Sequence, residues 1–246
     1  MDDPVWRDLL DEAASDPGAR SARRELCRVL VTAFEEMGRL LRVIGHVSGL
    51  GRVDGSSPFG NGDDRLVAMG YLSATAGSLL AGMSALFDDE NLYAGAALSR
   101  QLVEVEYLMW AFAGDQEEAS SWLRSTPDER RARWQPRHLR SRSRERFPGS
   151  DYGEHCEFGG HPTPKGVRAL IDTRPIIKEV LLDDAARHGV SIWEYAVAAV
   201  RGSEVLDPDR GVPRQQVEAV AAAAASWRSC DRIGGITAVW RARPSP

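Results

Sequence analysis

The sequence predicts an all-α protein: a multi-helix bundle with one central core helix and a peripheral Arg-rich helical arm. Three observations predict it. Apolar residues recur at spacings of three and four over most of the chain. The stretch from about 90 to 113 is apolar on nearly every side, as a helix surrounded by other helices must be. Only one short segment, Gly235 to Trp240, reads as a strand, and one strand cannot make a sheet.

The elements follow in order. Leu26, Leu30, Phe34, Met37, Leu41 and Ile44 share one face of a helix over about 20–47, with Arg23, Arg24, Glu35, Glu36, Arg39 and Arg42 opposite. Gly49 and Gly51 end it, and 48–62 reads as a loop. A helix over about 63–87 takes its cap from Asp63 or Asp64. The core helix follows over about 90–113, and Asp115 caps a short helix ending near Leu123. Thr126-Pro127-Asp128-Glu129 is a capping box with Pro at the first helical position, opening an Arg-rich helix that Pro136 breaks. A short helix over about 151–158 stops at Gly159-Gly160, and His161-Pro162-Thr163-Pro164 is extended because residues before Pro avoid the α region. Further helices are expected over about 173–188, 191–201 and 213–232, with a loop over 203–213. No internal repeat and no domain boundary show, so residues 1–246 read as a single domain with an arm at 124–150.

Composition is that of a globular protein, with 43% apolar and 27% charged residues in 246. Cys27, Cys156 and Cys230 are too few and too scattered for a disulfide scaffold, and no CxxC pair suggests structural zinc. The acidic Met1-Asp2-Asp3-Pro4 start is unlike a signal peptide. The most apolar long stretch, Ala94 to Ala113, is interrupted by Arg100, Gln101, Glu104 and Glu106. The expectation is a protein of the reducing cytoplasm, with no membrane association.

The net charge of −5 conceals an uneven distribution. Residues 124–146 hold nine Arg against Asp128, Glu129 and Glu145, so this segment carries +6 and the remainder −11. Arg140-Ser141-Arg142-Ser143-Arg144, with Trp134 and Phe147 nearby, has the residue types that contact phosphates and stack bases. The same charges suit an anionic ligand, an acidic protein surface or plain solvation. Lysine occurs only at Lys165 and Lys178, so the arginine bias runs through the whole chain. The five alanines 221–225 allow close helix approach. With Trp227 and Trp240 they point to packing inside the bundle or on a second copy, a homodimer.

The core helix carries a polar stripe. With Glu104 taken as zero, Tyr93 sits at about −20°, Arg100 at about −40° and Tyr107 at about −60°. Arg100 and Glu104 are four apart and can pair. Two readings stay open: an ion pair that sets helix register, or a polar pocket with Tyr93 and Tyr107 as its walls. Glu106 points about 160° away and is left out of the stripe. A second constellation, Tyr152 to Pro162, gathers His155, His161, Glu154, Glu157 and Cys156. It lacks the HExxH and ExxH spacings of known metal sites, so neither metal nor cofactor is expected there. No Gly-rich phosphate loop and no GxSxG elbow occur.

Arg100, Glu104, Tyr152 and His161-Pro162 resemble the pattern of a group of uncharacterised bacterial helical proteins, in which a core-helix Arg-xxx-Glu precedes a short helix with Tyr and then His-Pro. The resemblance covers about residues 90–165 and implies an all-α bundle without bringing an activity. A wider similarity is to HEPN-class helical bundles, many of them metal-independent ribonucleases, whose signature is an Arg followed by His after four to six residues. Arg133–His138, interrupted by Pro136, and Arg39–His46 match it. Two functions are therefore expected as alternatives. One is a non-enzymatic interaction or homo-oligomerisation module. The other is a metal-independent hydrolase, with RNA as a substrate class. In it Arg100 holds an anion, Glu104 orients His161, His161 or the neighbouring His155 serves as acid or base, and Tyr93, Tyr107 and Tyr152 bind substrate.

Overall fold

The computed structural model describes residues 4–47, 63–144, 146–172, 174–201 and 213–241. No strand occurs among them. The helices are α1 (Pro4–Ser15), α2 (Pro17–Val47), α3 (Asp64–Asp88), α4 (Leu92–Gly114), α5 (Gln116–Arg124), α6 (Pro127–Arg133), α7 (Pro136–Arg142), α8 (Gly149–His155), α9 (Pro164–Asp172), α10 (Arg174–Arg201), α11 (Arg214–Cys230) and α12 (Ile233–Arg241). A single π turn, Cys156–Gly160, extends α8. The expected loops at 48–62 and 203–213 lie outside the described residues, save Pro213, which caps α11.

The core is built by α2, α3, α4 and α10. Leu26, Leu30, Phe34, Met37 and Leu41 of α2 are all fully buried, the face their spacing predicts. Helices α2 and α3 run antiparallel and meet backbone to backbone. A Cβ added at Gly38 would lie 2.9 Å from Ala74 N and Gly70 O, and one at Gly70 would lie 2.9 Å from Arg42 N. Glycine here is a packing requirement, since any side chain would push the helices apart. Asp63 caps α3 by accepting the Arg65 N–H at 2.9 Å. By length and composition α3 is the one described helix sufficient to cross a membrane; 67% of its most apolar window is buried inside the fold.

Two expectations are corrected, and two further helices appear. Residues 174–201 form one helix where two were expected. Gly189 does not stop it: a Cβ there would lie 2.9 Å from Leu30 Cδ1, so this glycine lets α2 and α10 approach. The segment read as a strand is helix α12. Asp231 accepts the Ile233 N–H at 3.0 Å and starts the helix. Ile233 and Ile236 then pack on Leu10, Ala13 and Ala14, which a strand with no neighbour to pair with could not do. Helices α1 and α9 are the further elements; in α1, Trp6, Leu10, Ala13 and Ala14 have helical spacing and are buried.

The Arg-rich segment is peripheral, as predicted, and it is docked. Trp134, Leu139 and Phe147 are buried in the main core. The Thr126–Glu129 capping box is present, and Pro136 opens α7 after α6 has ended. Most of its arginines are engaged at home: Arg124 with the buried Asp64 at 2.6 Å, Arg142 and Arg133 with Glu118 at 2.7 and 3.7 Å, and Arg146 with Tyr195 Oη at 2.5 Å. The alanine-rich α11 packs on α2, burying Val220, Ala224 and Trp227. The Trp240 side chain lies outside the described residues.

Candidate metal centre

Helix α8 is placed by glycine. Gly159 of the π turn lies against α4 so closely that a Cβ there would sit 2.2 Å from Ala96 O. Above this contact Tyr152 Oη donates to Glu104 Oε1 at 2.9 Å and accepts from Arg100 Nε at 3.3 Å, while Arg100 Nε lies 3.3 Å from Glu104 Oε1. The Arg140 guanidinium stacks on the same tyrosine ring, 4.6 Å from its centre. Burial and the Glu104 hydrogen bond push the Tyr152 hydroxyl up to about 12, so it stays a donor at neutral pH. Tyr107 is buried behind it, 6.1 Å ring to ring, its hydroxyl pushed up by burial.

The structure brings some of the residues expected at a polar pocket together and separates others. Arg100, Glu104, Tyr152 and Tyr107 come together, and the first three form a half-exposed staple between α4 and α8. Tyr93 is exposed at the start of α4. His161 is exposed in the predicted extended conformation, and its side chain makes no hydrogen bond or ion pair among the described residues. Glu104 is therefore not positioned as its orienting carboxylate. Of the HEPN-type pairs, Arg133 faces Glu118 and His138 accepts from Arg137 at 3.2 Å, while Arg39 and His46 are exposed on α2.

His155 belongs to a different cluster, with Asp151, Asp184 and His188. Asp151 and His155 are one turn apart on α8, and Asp184 and His188 one turn apart on α10, so each pair shares a helix face. The two faces meet. One donor atom from each of the four residues lies within 4.8 Å of all the others. Asp184 Oδ2 is 3.4 Å from His155 Nε2 and 3.6 Å from His188 Nε2, and Asp151 Oδ2 is 3.9 Å from His155 Nε2. A tetrahedral ion with bonds of about 2.0–2.1 Å holds its donors about 3.3–3.4 Å apart. His155, Asp184 and His188 are buried.

The other ring nitrogens are held by α4. His155 Nδ1 meets Ser99 Oγ at 3.3 Å, and His188 Nδ1 bonds Glu106 Oε2. Ser99 and Glu106 are seven residues apart, two turns along one face of α4. A donating Nδ1–H leaves the Nε2 lone pair of each imidazole aimed at the centre of the cluster, the arrangement of metal-bound histidines. His188 Nε2 makes no hydrogen bond although it is buried. Burial opposes charge on His188, but Asp184 and Glu106 outweigh it and push the imidazole up to about 9.

Charge points the same way. Asp151, Asp184 and Glu106 supply three negative charges, and Arg187, 2.8 Å from Asp184 Oδ1, supplies one positive. An ion bound here would displace the His188 proton, and with both imidazoles neutral the group carries −2, the charge a divalent cation cancels. Arg187 also reaches Asp183 at 3.4 Å. Asp183 is pushed up to about 6 by burial and by the carboxylates of Asp231 and Asp184. It accepts from Trp227 Nε1 at 3.2 Å. Trp227 in turn donates to Asp231 at 3.1 Å, and Asp231 pairs with the fully buried Arg23. A continuous chain of ion pairs and indole hydrogen bonds therefore joins α2 to the cluster.

Residues 152–162 alone hold no metal-ligand spacing, and the set completes only across α8 and α10. The set is split between two helices, and a signal for it exists: Asp151-xxx-His155 and Asp184-xxx-His188 repeat one spacing. Comparison of the chain with family models, with curated proteins and with solved structures finds no match.

Proposed function

We propose that this chain is a metalloprotein with a mononuclear site for a divalent transition-metal ion, bound by His155, His188, Asp184 and Asp151. The observation that carries this reading is the convergence of both Nε2 atoms on one Asp184 oxygen, with both Nδ1 atoms engaged by α4. Two imidazoles with carboxylates suit zinc or ferrous iron and disfavour calcium and magnesium. Such an ion supplies Lewis acidity and an acidified water. Around it, Glu106 and Ser99 orient the imidazoles and Arg187 holds Asp184. A catalytic role, rather than a structural one, is favoured by the cavity that His155 and Asp184 line.

The test is metal content and spectroscopy. The purified chain, stripped with chelator and reloaded with cobalt(II), is expected to bind one ion per chain and to show the visible bands of a low-symmetry site. His155→Ala with His188→Ala removes that stoichiometry, whereas Glu104→Gln leaves it intact. Binding of less than a tenth of an equivalent, or binding that the double variant retains, overturns the reading.

A further inference from the structure

Beside the candidate metal centre lies a cavity of about 520 Å³ between α1, α8, α9, α10 and α12. This is within the range of small-molecule sites. Trp6, Leu10, Ile177 and Leu181 form apolar walls, and all four are buried. His155 and Asp184, also buried, form the floor. Arg7 and Lys165 are exposed and stand at the mouth.

The charges of the lining do not cancel. Four cations face three carboxylates. Two of the cations are already committed: Arg168 lies 4.0 Å from Asp172, and Arg187 holds Asp184. Arg7 and Lys165 make no ion pair among the described residues. Glu154 lines the cavity too, so beside the two ion pairs the lining keeps one positive charge in excess around an apolar interior.

We propose that it binds an amphiphilic anion: a molecule with an apolar chain or ring and a single carboxylate or phosphate head. The apolar body fills the space between Trp6, Leu10, Ile177 and Leu181, and the head meets Arg7 and Lys165. The inner end then lies against His155 and Asp184, which places it beside the ion of the proposed centre. Binding of the acid goes beyond the metal reading and does not depend on it; only the adjacency of the inner end to an ion rests on that reading.

Calorimetric titration of the full chain with octanoate, octyl phosphate and octanol tests this. Both acids are expected to bind saturably at one per chain, with a negative heat-capacity change from apolar burial. Octanol is expected to bind at least about tenfold more weakly, the effect of losing both head-group contacts. Arg7→Gln with Lys165→Gln weakens both acids by the same factor and leaves octanol unchanged; both positions are exposed, so the fold is retained. A preference between the two acids identifies the head group. Absence of saturable binding, or equal binding of acid and alcohol that the double variant does not alter, overturns the proposal. Repeating the titration on chelator-stripped protein separates the two readings. Acid binding without metal stoichiometry sinks only the metal centre, and metal stoichiometry without acid binding sinks only the ligand site.

Discussion

His188 on α10 is hydrogen-bonded through Nδ1 to Glu106 on α4, and this contact fixes which way its Nε2 points. Rotation of the ring would break a buried charge-assisted hydrogen bond. Glu106→Gln keeps the volume and loses the charge. The expected result is a metal affinity about 10–100-fold lower, the usual consequence of removing an orienting carboxylate behind a ligand histidine. Competition with a chromophoric chelator measures it. An unchanged affinity would show that Glu106 does not act on the imidazole, and a total loss of folded protein is controlled by the melting temperature of the metal-free form.

The approach of Gly159 to Ala96 O sets the position of α8, and hence of Asp151 and His155. Gly159→Ala inserts a methyl group where the gap is 2.2 Å, against backbone that cannot yield as a side chain does. We expect a destabilisation of about 1–3 kcal/mol, the cost of overpacking, accompanied by weaker metal binding. Gly153 in the same helix is the control, because a Cβ there meets nothing within 4 Å. Gly153→Ala is expected to raise stability by about 0.5–1 kcal/mol through helix propensity and a less flexible unfolded chain. Urea unfolding of the two variants checks the contrast; equal effects would mean that the π turn is not seated on α4.

The two glycines also show where sequence reading succeeds and where it stops. Gly159-Gly160 was legible as a terminator, but that Gly159 docks on Ala96 is tertiary information that no local pattern holds. The stripe of Arg100 and Glu104 on α4, and Tyr152 as a later partner, were legible because helical spacing puts charges on one line of a core helix. The richer site lay on the opposite face of the same helix. Glu106 gives no sign of its role within its own helix, because its partner His188 lies on a helix distant in the chain. The amphipathic face of α2 and the capping box of α6 were readable since they depend on neighbours within a few residues. The identity of α12 was not, because Ile-Thr-Ala-Val-Trp has strand propensity and only packing on Leu10 and Ala14 decides for helix.

Arg23 is fully buried between Glu179, 3.0 Å from its Nη2, and Asp231. Replacing it with Met keeps an unbranched chain of similar length, leaves Asp231 buried without its cation, and leaves Glu179 with only the partly exposed Arg20 and Arg24, at 3.2 and 3.3 Å. Breaking a buried ion pair from one side typically costs about 3–5 kcal/mol. The neighbouring surface pair Arg28–Glu25 is largely exposed at both ends, and Arg28→Met is expected to leave the stability nearly unchanged. Chemical denaturation at pH 7 measures both. A small loss for Arg23→Met would mean that Glu179 and Asp231 gain solvent or protons when the arginine is removed.

The start of α3 makes a prediction about pH. Asp63 is buried, which alone would raise its pKa, but the Arg65 side chain and the Arg65 and Leu66 backbone N–H groups bind the carboxylate and hold it below the ordinary value. Both Asp63 oxygens contact the Arg65 guanidinium, at 3.1 and 2.7 Å. A carboxylate with a depressed folded-state pKa binds its proton more weakly when folded than when unfolded. Its stabilisation is therefore complete above the unfolded value of about 3.9 and disappears as pH falls through the lower folded value. Asp63→Asn keeps an N-cap oxygen and removes only the charge. Wild type is expected to be more stable than Asp63→Asn at pH 7, and the difference should shrink toward zero as the pH is taken from 5 to 2. Asp63→Ala, which loses the cap as well, should cost about a further 1 kcal/mol at every pH. Urea unfolding of the three proteins across that range checks the argument. A gap between wild type and Asp63→Asn that stays constant with pH would show that the carboxylate charge contributes nothing to holding α3 at its first turn.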